Sequence, residues 1–364
     1  MNARVAAILV VLLVILGGAA LVYQRDENAR RPANAGVLGQ PLLKDLKAAD
    51  IAAIRIVQPD ATLTLQRGEG GWTLSERDGF PADVAKVREF VLKAISLKIG
   101  QSEPIGEKDR SRVNLDDPQK KAATSATLVE FNAADGKPLA KILVGKKYFK
   151  QEPDNAQKAP GDGRFVMLPG NAGTLFVVSD PLAQASARSA DWIDRTSFQV
   201  DKPKMVELRA PDGSGWRIER AADNADWKLA GAKPGEKLEI TKANSASYSL
   251  SLLELADVAP KDAKDTGLDA PTLINASTFD GPDYAIKVGK LEGQNYYVSF
   301  QVSGEPEKDA GADKDRAERI KKLEERLARE KRLSAYVLLI PKSKLDDTLK
   351  KREDLLAKAS EEKK

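Results

Sequence analysis

The chain has 364 residues, of which 42% are hydrophobic and 31% charged, with 58 Lys+Arg against 54 Asp+Glu for a net +4. That balance predicts about two globular units with real cores, and it excludes both a multi-span membrane protein and a polycation. Histidine and cysteine are both absent, which removes Ser-His-Asp and Cys-His nucleophilic catalysis, histidine acid–base work, His/Cys zinc sites, iron–sulfur ligation, disulfides and a lipoprotein cysteine.

From Val5 to Val22 every residue is apolar. Eighteen residues at 1.5 Å rise span roughly 27 Å, close to the hydrocarbon thickness of about 30 Å, so residues 1–24 are expected to form a single transmembrane anchor, followed by a linker over 25–40. A cleaved signal peptide is the alternative. Gly18-Ala19-Ala20 would serve as its small-residue site, but no polar stretch precedes it. Long C-terminal domains cross membranes largely regardless of loop charge, so the expected location is the bacterial inner membrane, single-pass, with the body in the periplasm.

Four landmarks then recur in order. Trp72 of GWTL returns as Trp227 of DWKL, and Ile54-Arg55-Ile56 as Val206-Glu207-Leu208. Asn114-Leu115-Asp116-Asp117-Pro118 returns as Gly267-Leu268-Asp269-Ala270-Pro271, and Leu143-Val144-Gly145-Lys146 as Lys287-Val288-Gly289-Lys290. Nearly constant offsets point to two copies of one module, over 41–185 and 186–342. In the first, alternation predicts strands at 51–57, 62–66, 72–75, 126–131, 139–144, 163–168 and 174–179. Pro81 opens a helix with Val84, Val87, Phe90, Val91, Ala94 and Ile95 at helical spacing. The second repeats the order, with strands near 204–209, 215–219, 226–229, 272–279, 283–289, 295–302 and 335–340 and a helix near 241–256. The fold class expected is α+β: two tandem, mainly antiparallel sheet modules with one covering helix each, behind the transmembrane helix.

The copies differ over Ser303–Leu333. Asp315–Arg319, Glu318–Lys322 and Glu325–Arg329 are four apart with the acid first, while Ile320, Leu323 and Leu327 form a narrow apolar stripe, so 303–333 is expected to carry a protruding charged helix of about five turns. Residues 343–364 are expected to form a second charged helix anchored by Leu345, Leu349, Leu355 and Leu356. Charges nearly cancel from Gly304 onward, which argues against a nucleic-acid arm.

Trp72–Leu74, Trp192–Arg195, Trp227–Leu229, Gly267–Pro271 and Val288–Lys290 together resemble an uncharacterised bacterial envelope domain family, found beside auxiliary components of gliding-motility-type ABC transporters. The resemblance covers roughly 40–300, and the first copy departs from it at Asn114, where Gly is expected. It implies an envelope location and a transporter-associated or assembly role. It carries no catalytic residues.

The chemical motifs have simpler structural readings. Gly68-Glu69-Gly70-Gly71 runs on into a strand and so marks a hairpin rather than a phosphate cradle. Gly145-Lys146 and Gly289-Lys290 end strands and lack the upstream glycine of a phosphate loop. Asp309, Asp313, Asp315 and Glu318 lack the spacing of a calcium loop and suit a helix start. Asp116 and Asp269 sit in turns where they cap amides, and Trp72, Trp192, Trp216 and Trp227 are expected as core anchors with Tyr296 and Tyr297. No catalytic, cofactor or metal site is expected. The reading is a non-enzymatic, membrane-anchored periplasmic accessory or scaffold protein of an envelope complex, ABC-transporter-associated, which would bind protein partners through sheet edges and the helix of 303–333. Its partners are the inner membrane and envelope proteins, without nucleic acid or cofactor. A periplasmic binder of glycan or another envelope polymer, and a carboxylate-dependent hydrolase, are the alternatives.

Overall fold

The computed structural model describes residues 36–306 and 314–357, apart from 121, 152, 157 and 160. The first part of the chain runs β1 (Ala53–Gln58), β2 (Ala61–Gly68), β3 (Gly71–Leu74), β4 (Phe80–Pro81), α1 (Val84–Ser96), β5 (Ile99–Pro104), β6 (Thr127–Asn132), β7 (Pro138–Tyr148), β8 (Gly163–Met167) and β9 (Thr174–Val178). These nine strands form one sheet in the order β4-β3-β2-β1-β6-β7-β8-β9-β5.

The second part runs β10 (Pro203–Arg209), β11 (Gly215–Glu219), β12 (Lys228–Leu229), α2 (Ile240–Tyr248), β13 (Asp257–Val258), β14 (Thr272–Thr278), β15 (Asp283–Glu292), β16 (Asn295–Ser303), α3 (Lys314–Leu333), β17 (Leu338–Pro341) and the single turn α4 (Lys342–Leu345). Its eight strands are ordered β12-β11-β10-β14-β15-β16-β17-β13. Strand for strand this is the order of the first sheet with β4 left out, and in both the strand after the helix returns to pair with the last one.

The expected fold class is corrected by this architecture. Two large antiparallel sheets with few helices make the molecule mainly β rather than α+β behind a transmembrane helix. No helix among the described residues is long and apolar enough to cross a membrane. The apolar run Val5–Val22, with the anchor expected over 1–24, lies outside the described residues. Three strands escaped the sequence pattern because they are polar or very short: β4 and β13 have two residues each, and β5 reads Ile-Gly-Gln-Ser-Glu-Pro.

The described residues divide into two compact units, those within 36–62 and 85–187 and those within 63–84 and 188–357. The hairpin of 63–84, expected in the first module, thus belongs with the second unit. In the first unit α1 lays Val87, Phe90, Val91 and Ala94 against the sheet, with Phe90 stacked on Phe131 at 6.1 Å. In the second, β15 alternates Tyr284, Ile286 and Val288 inward with Asp283, Ala285 and Lys287 outward, the period-two pattern of a sheet covered on one face. Phe198 fills the space beside this strand, stacked on Phe300 at 4.2 Å and Tyr284 at 6.1 Å.

The C-terminal segment is also corrected. It is not a helix over 343–364 but, as far as it is described, a strap closing the second unit. The Trp216 indole donates to the Lys350 carbonyl at 2.7 Å, the Thr348 hydroxyl to the Ala246 carbonyl at 2.7 Å, and the Glu239 amide to the Leu355 carbonyl at 2.9 Å. Leu345 and Leu355 are buried beneath it. Tertiary hydrogen bonds override the helix propensity of its Lys and Leu residues.

Candidate functional site

The recurring motifs meet each other within each unit. A Cβ at Gly145 would lie 2.3 Å from the Val113 carbonyl oxygen, and one at Gly289 would lie 2.2 Å from the Thr266 oxygen. The Leu-Asp turn is therefore pressed against the Val-Gly-Lys strand end, and only glycine permits that approach. Pairing slips at the same place in both sheets, between Val144 and Lys147 and between Val288 and Leu291. Asn114 and Gly267, where the copies differ in sequence, share a left-handed backbone with φ of 54° and 71°. Asparagine is among the few side chains that tolerate this conformation, which accounts for the substitution.

The remaining candidates resolve individually. Gly68 pairs with Gly71 across the tight β2–β3 hairpin. Asp116 accepts from the Thr124 hydroxyl at 2.6 Å in the first unit, while Asp269 is exposed in the second. Trp192, Trp216 and Trp227 are buried, and Trp72 is half-buried. The Trp227 indole donates to Asn244 of α2 at 3.0 Å. Tyr297 is buried and donates to Glu292, and Tyr296 is half-buried. Asp309 and Asp313 lie outside the described residues. Glu318 pairs with Lys322 at 2.7 Å, which keeps its carboxyl below the usual range through the lysine hydrogen bond. Among the described residues no group of three or more carboxylates is placed to hold a metal ion.

The charged helix α3 does not simply protrude. Its second half is docked: Leu327, Glu330 and Leu333 are buried. Glu330 is fully enclosed, and its carboxylate accepts from the Tyr284 hydroxyl at 2.9 Å and the Gln199 amide at 3.1 Å, with the Arg326 guanidinium at 3.6 Å. Burial raises the Glu330 carboxyl above its ordinary range and raises the Tyr284 phenol strongly, so the tyrosine keeps its proton and donates it. Arg326 also bonds Asp201, and Arg329 reaches the Ser197 carbonyl at 3.3 Å.

One turn further toward the N-terminus the same face of α3 is only partly covered. Arg316, Arg319, Ile320 and Leu323 continue the helical spacing of the docked residues and form one wall of a cleft of about 940 Å³. Tyr248, Ser251 and Phe279 face them, and Lys202 and Asp280 close one side with an ion pair at 3.1 Å. The aromatic side is held from below by Arg220, which is buried and donates to the Pro203 carbonyl at 2.7 Å, the Tyr248 hydroxyl at 3.0 Å and Asp223 at 2.7 Å. Its guanidinium lies 5.5 Å from the Tyr248 ring, 5.8 Å from Phe279 and 4.6 Å from Trp227, the geometry of cation–π attraction. The cleft lining holds five cations (Lys202, Arg316, Arg319, Lys322, Arg326) and two acids (Asp201, Asp280), both ion-paired.

The sequence singled out the α3 wall of this cleft through its apolar stripe and charges. The opposite wall had no signal, because Lys202, Tyr248, Phe279 and Asp280 come from separate loops and strand ends.

A family model described as a domain of unknown function (DUF4340) matches residues 72–271, more than half of the chain. The chain belongs to this family. The match begins at the tryptophan of GWTL and ends at the proline of the Gly-Leu-Asp-Ala-Pro turn. No curated protein and no solved structure matches the chain.

Proposed function

We propose that this chain is a non-enzymatic accessory or scaffold protein of a bacterial cell-envelope complex, associated with an ABC-type transporter, its folded body working on the periplasmic side. Its two sheets derive from one duplicated module, and its partner is a protein that seats in the α3 cleft of the second unit. The observation that carries this reading is the half-covered face of α3: Leu327, Glu330 and Leu333 are sealed into the unit, while Ile320 and Leu323 line an open cleft. A helix whose apolar face is only partly used by its own fold offers the remainder to another chain. The repeated motifs support the reading in a second way, since they account for turns and close backbone approaches. The absence of cysteine makes an oxidising compartment harmless to the fold. The transporter association rests on the family resemblance alone.

Photo-crosslinking in cells tests the proposal. A photoreactive residue at position 323 should yield a discrete adduct with an envelope protein, identified by mass spectrometry, whereas one at exposed Lys137 in the first unit should not. No adduct from 323, or equal adducts from both positions, would refute it.

A further inference from the structure

We infer that the occupant of the α3 cleft is an acidic peptide segment of a partner protein, carrying apolar residues among its carboxylates. This rests on the reading of the cleft as a partner-binding surface and specifies what that surface selects.

The chemistry of the walls carries the inference. Ile320, Leu323, Tyr248 and Phe279 provide apolar contact on both sides of the cleft, and a ligand without apolar side chains would leave them wet. Tyr248 is 42% exposed, so its ring is open to a visitor even as its hydroxyl is held by Arg220. Above this floor the cations exceed the acids by three, counting five against two. Both acids are paired with Lys202 and Arg326, and Lys322 is paired with Glu318 on its own helix, so the positive charge left over in the lining is centred on α3 at Arg319. Arg319 is exposed and has no ion pair among the described residues. A carboxylate entering here meets arginine, which binds it in fork geometry, without displacing an acid.

The same details argue against a nucleic acid. A phosphate backbone needs a continuous run of cations along its path, and here the paired carboxylates of Asp201 and Asp280 and the side chains of Ile320 and Leu323 interrupt it. A volume of about 940 Å³ has room for several side chains at once, at the upper end of about 300–1,000 Å³ for small-molecule sites. The stiff aromatic floor means little side-chain ordering remains to be done when the segment docks.

The full chain panned against a phage-displayed random peptide library tests this. Enriched peptides should combine Asp or Glu with Leu, Phe or Trp. A fluorescent copy of the best peptide should bind at least about tenfold more weakly to Arg319→Glu and to Leu323→Asp, and its affinity should fall as salt rises. Both positions line the cleft away from the docked half of α3, and unchanged thermal unfolding would show that the variants fold. Neutral or basic peptides that still lose affinity in both variants would overturn the acidic preference while leaving the partner-binding cleft standing. Peptides that bind the variants as well as the native chain would overturn both. Displacement of the bound peptide by single-stranded oligonucleotide, with loss of oligonucleotide binding in Arg319→Glu, would overturn the assignment to a protein partner.

Discussion

Replacing Gly289 by alanine puts the account of the repeated Val-Gly-Lys motif at risk most cleanly. The added methyl would sit 2.2 Å from the Thr266 carbonyl oxygen, well over 1 Å inside ordinary contact. The obstacle is backbone, so the turn itself must retreat. Its retreat also pulls apart the bond from the Lys290 amide to the Thr266 carbonyl, now 2.8 Å. Overpacking of this kind costs about 1–3 kcal/mol and a lost hydrogen bond about 1 kcal/mol more, for a total of about 2–4 kcal/mol. In a unit of this size each kcal/mol lowers Tm by about 2–4 °C, so calorimetry should record a fall of roughly 4–16 °C. Gly145→Ala should behave alike, since its methyl would lie 2.3 Å from the Val113 oxygen and 3.0 Å from the Leu115 side chain. Gly70→Ala is the control, with nothing within 4 Å of the new methyl. If Gly289→Ala and Gly145→Ala melt with Gly70→Ala, the close-packed turn is not what these glycines are for.

Asn114→Ala should destabilise the first unit by about 1–2 kcal/mol, the cost of a left-handed backbone for an ordinary L-residue, while Asn114→Gly changes stability by less; chemical denaturation distinguishes the two. Glu330→Ala leaves Tyr284 and Gln199 without their acceptor and Arg326 with one carboxylate fewer, so a loss of about 3–5 kcal/mol and faster amide exchange across the last turns of α3 are expected. Deleting 312–333 removes the same buried groups, so its circular dichroism should show an unfolded second unit. At low pH the C-terminal strap should loosen. The Arg352 guanidinium, with help from the Lys233 amide, holds the Glu236 carboxyl down to about 2. A depressed carboxyl stabilises the fold above its unfolded pKa of about 4.3 and loses that contribution as pH falls toward 2. The Trp216 indole N–H resonance, bonded to Lys350 in the strap, should shift in that acid range and stay constant from neutral pH down to about 5; titration near neutrality would contradict the assignment.

Strands that alternate apolar and polar residues were legible in the sequence, and so was the helix whose Val87, Phe90, Val91 and Ala94 share one face. The polar return strand β5 was not, because only Ile99 and Ser102 point inward and neither makes a pattern. The C-terminal strap was misread as a helix because its anchors are carbonyls, those of Lys350 and Leu355, which carry no residue-type signal. The copies' shared turn and Val-Gly-Lys strand end were visible as repeated letters. Their reason was not, since a close backbone approach shows only in three dimensions. Of the cleft, the spacing of Arg319, Ile320 and Leu323 was readable on α3. That Leu327 would be sealed while Leu323 stayed open depends on Glu330 finding Tyr284, a contact between residues 46 apart in the chain.

Hydrogen–deuterium exchange of the full chain, with and without its selected acidic peptide, tests the central claim most directly. The account predicts slowed exchange at 316–326 and around Tyr248–Ser251, with the first unit unchanged. Protection confined to the first unit, or to sheet edges away from α3, would contradict it.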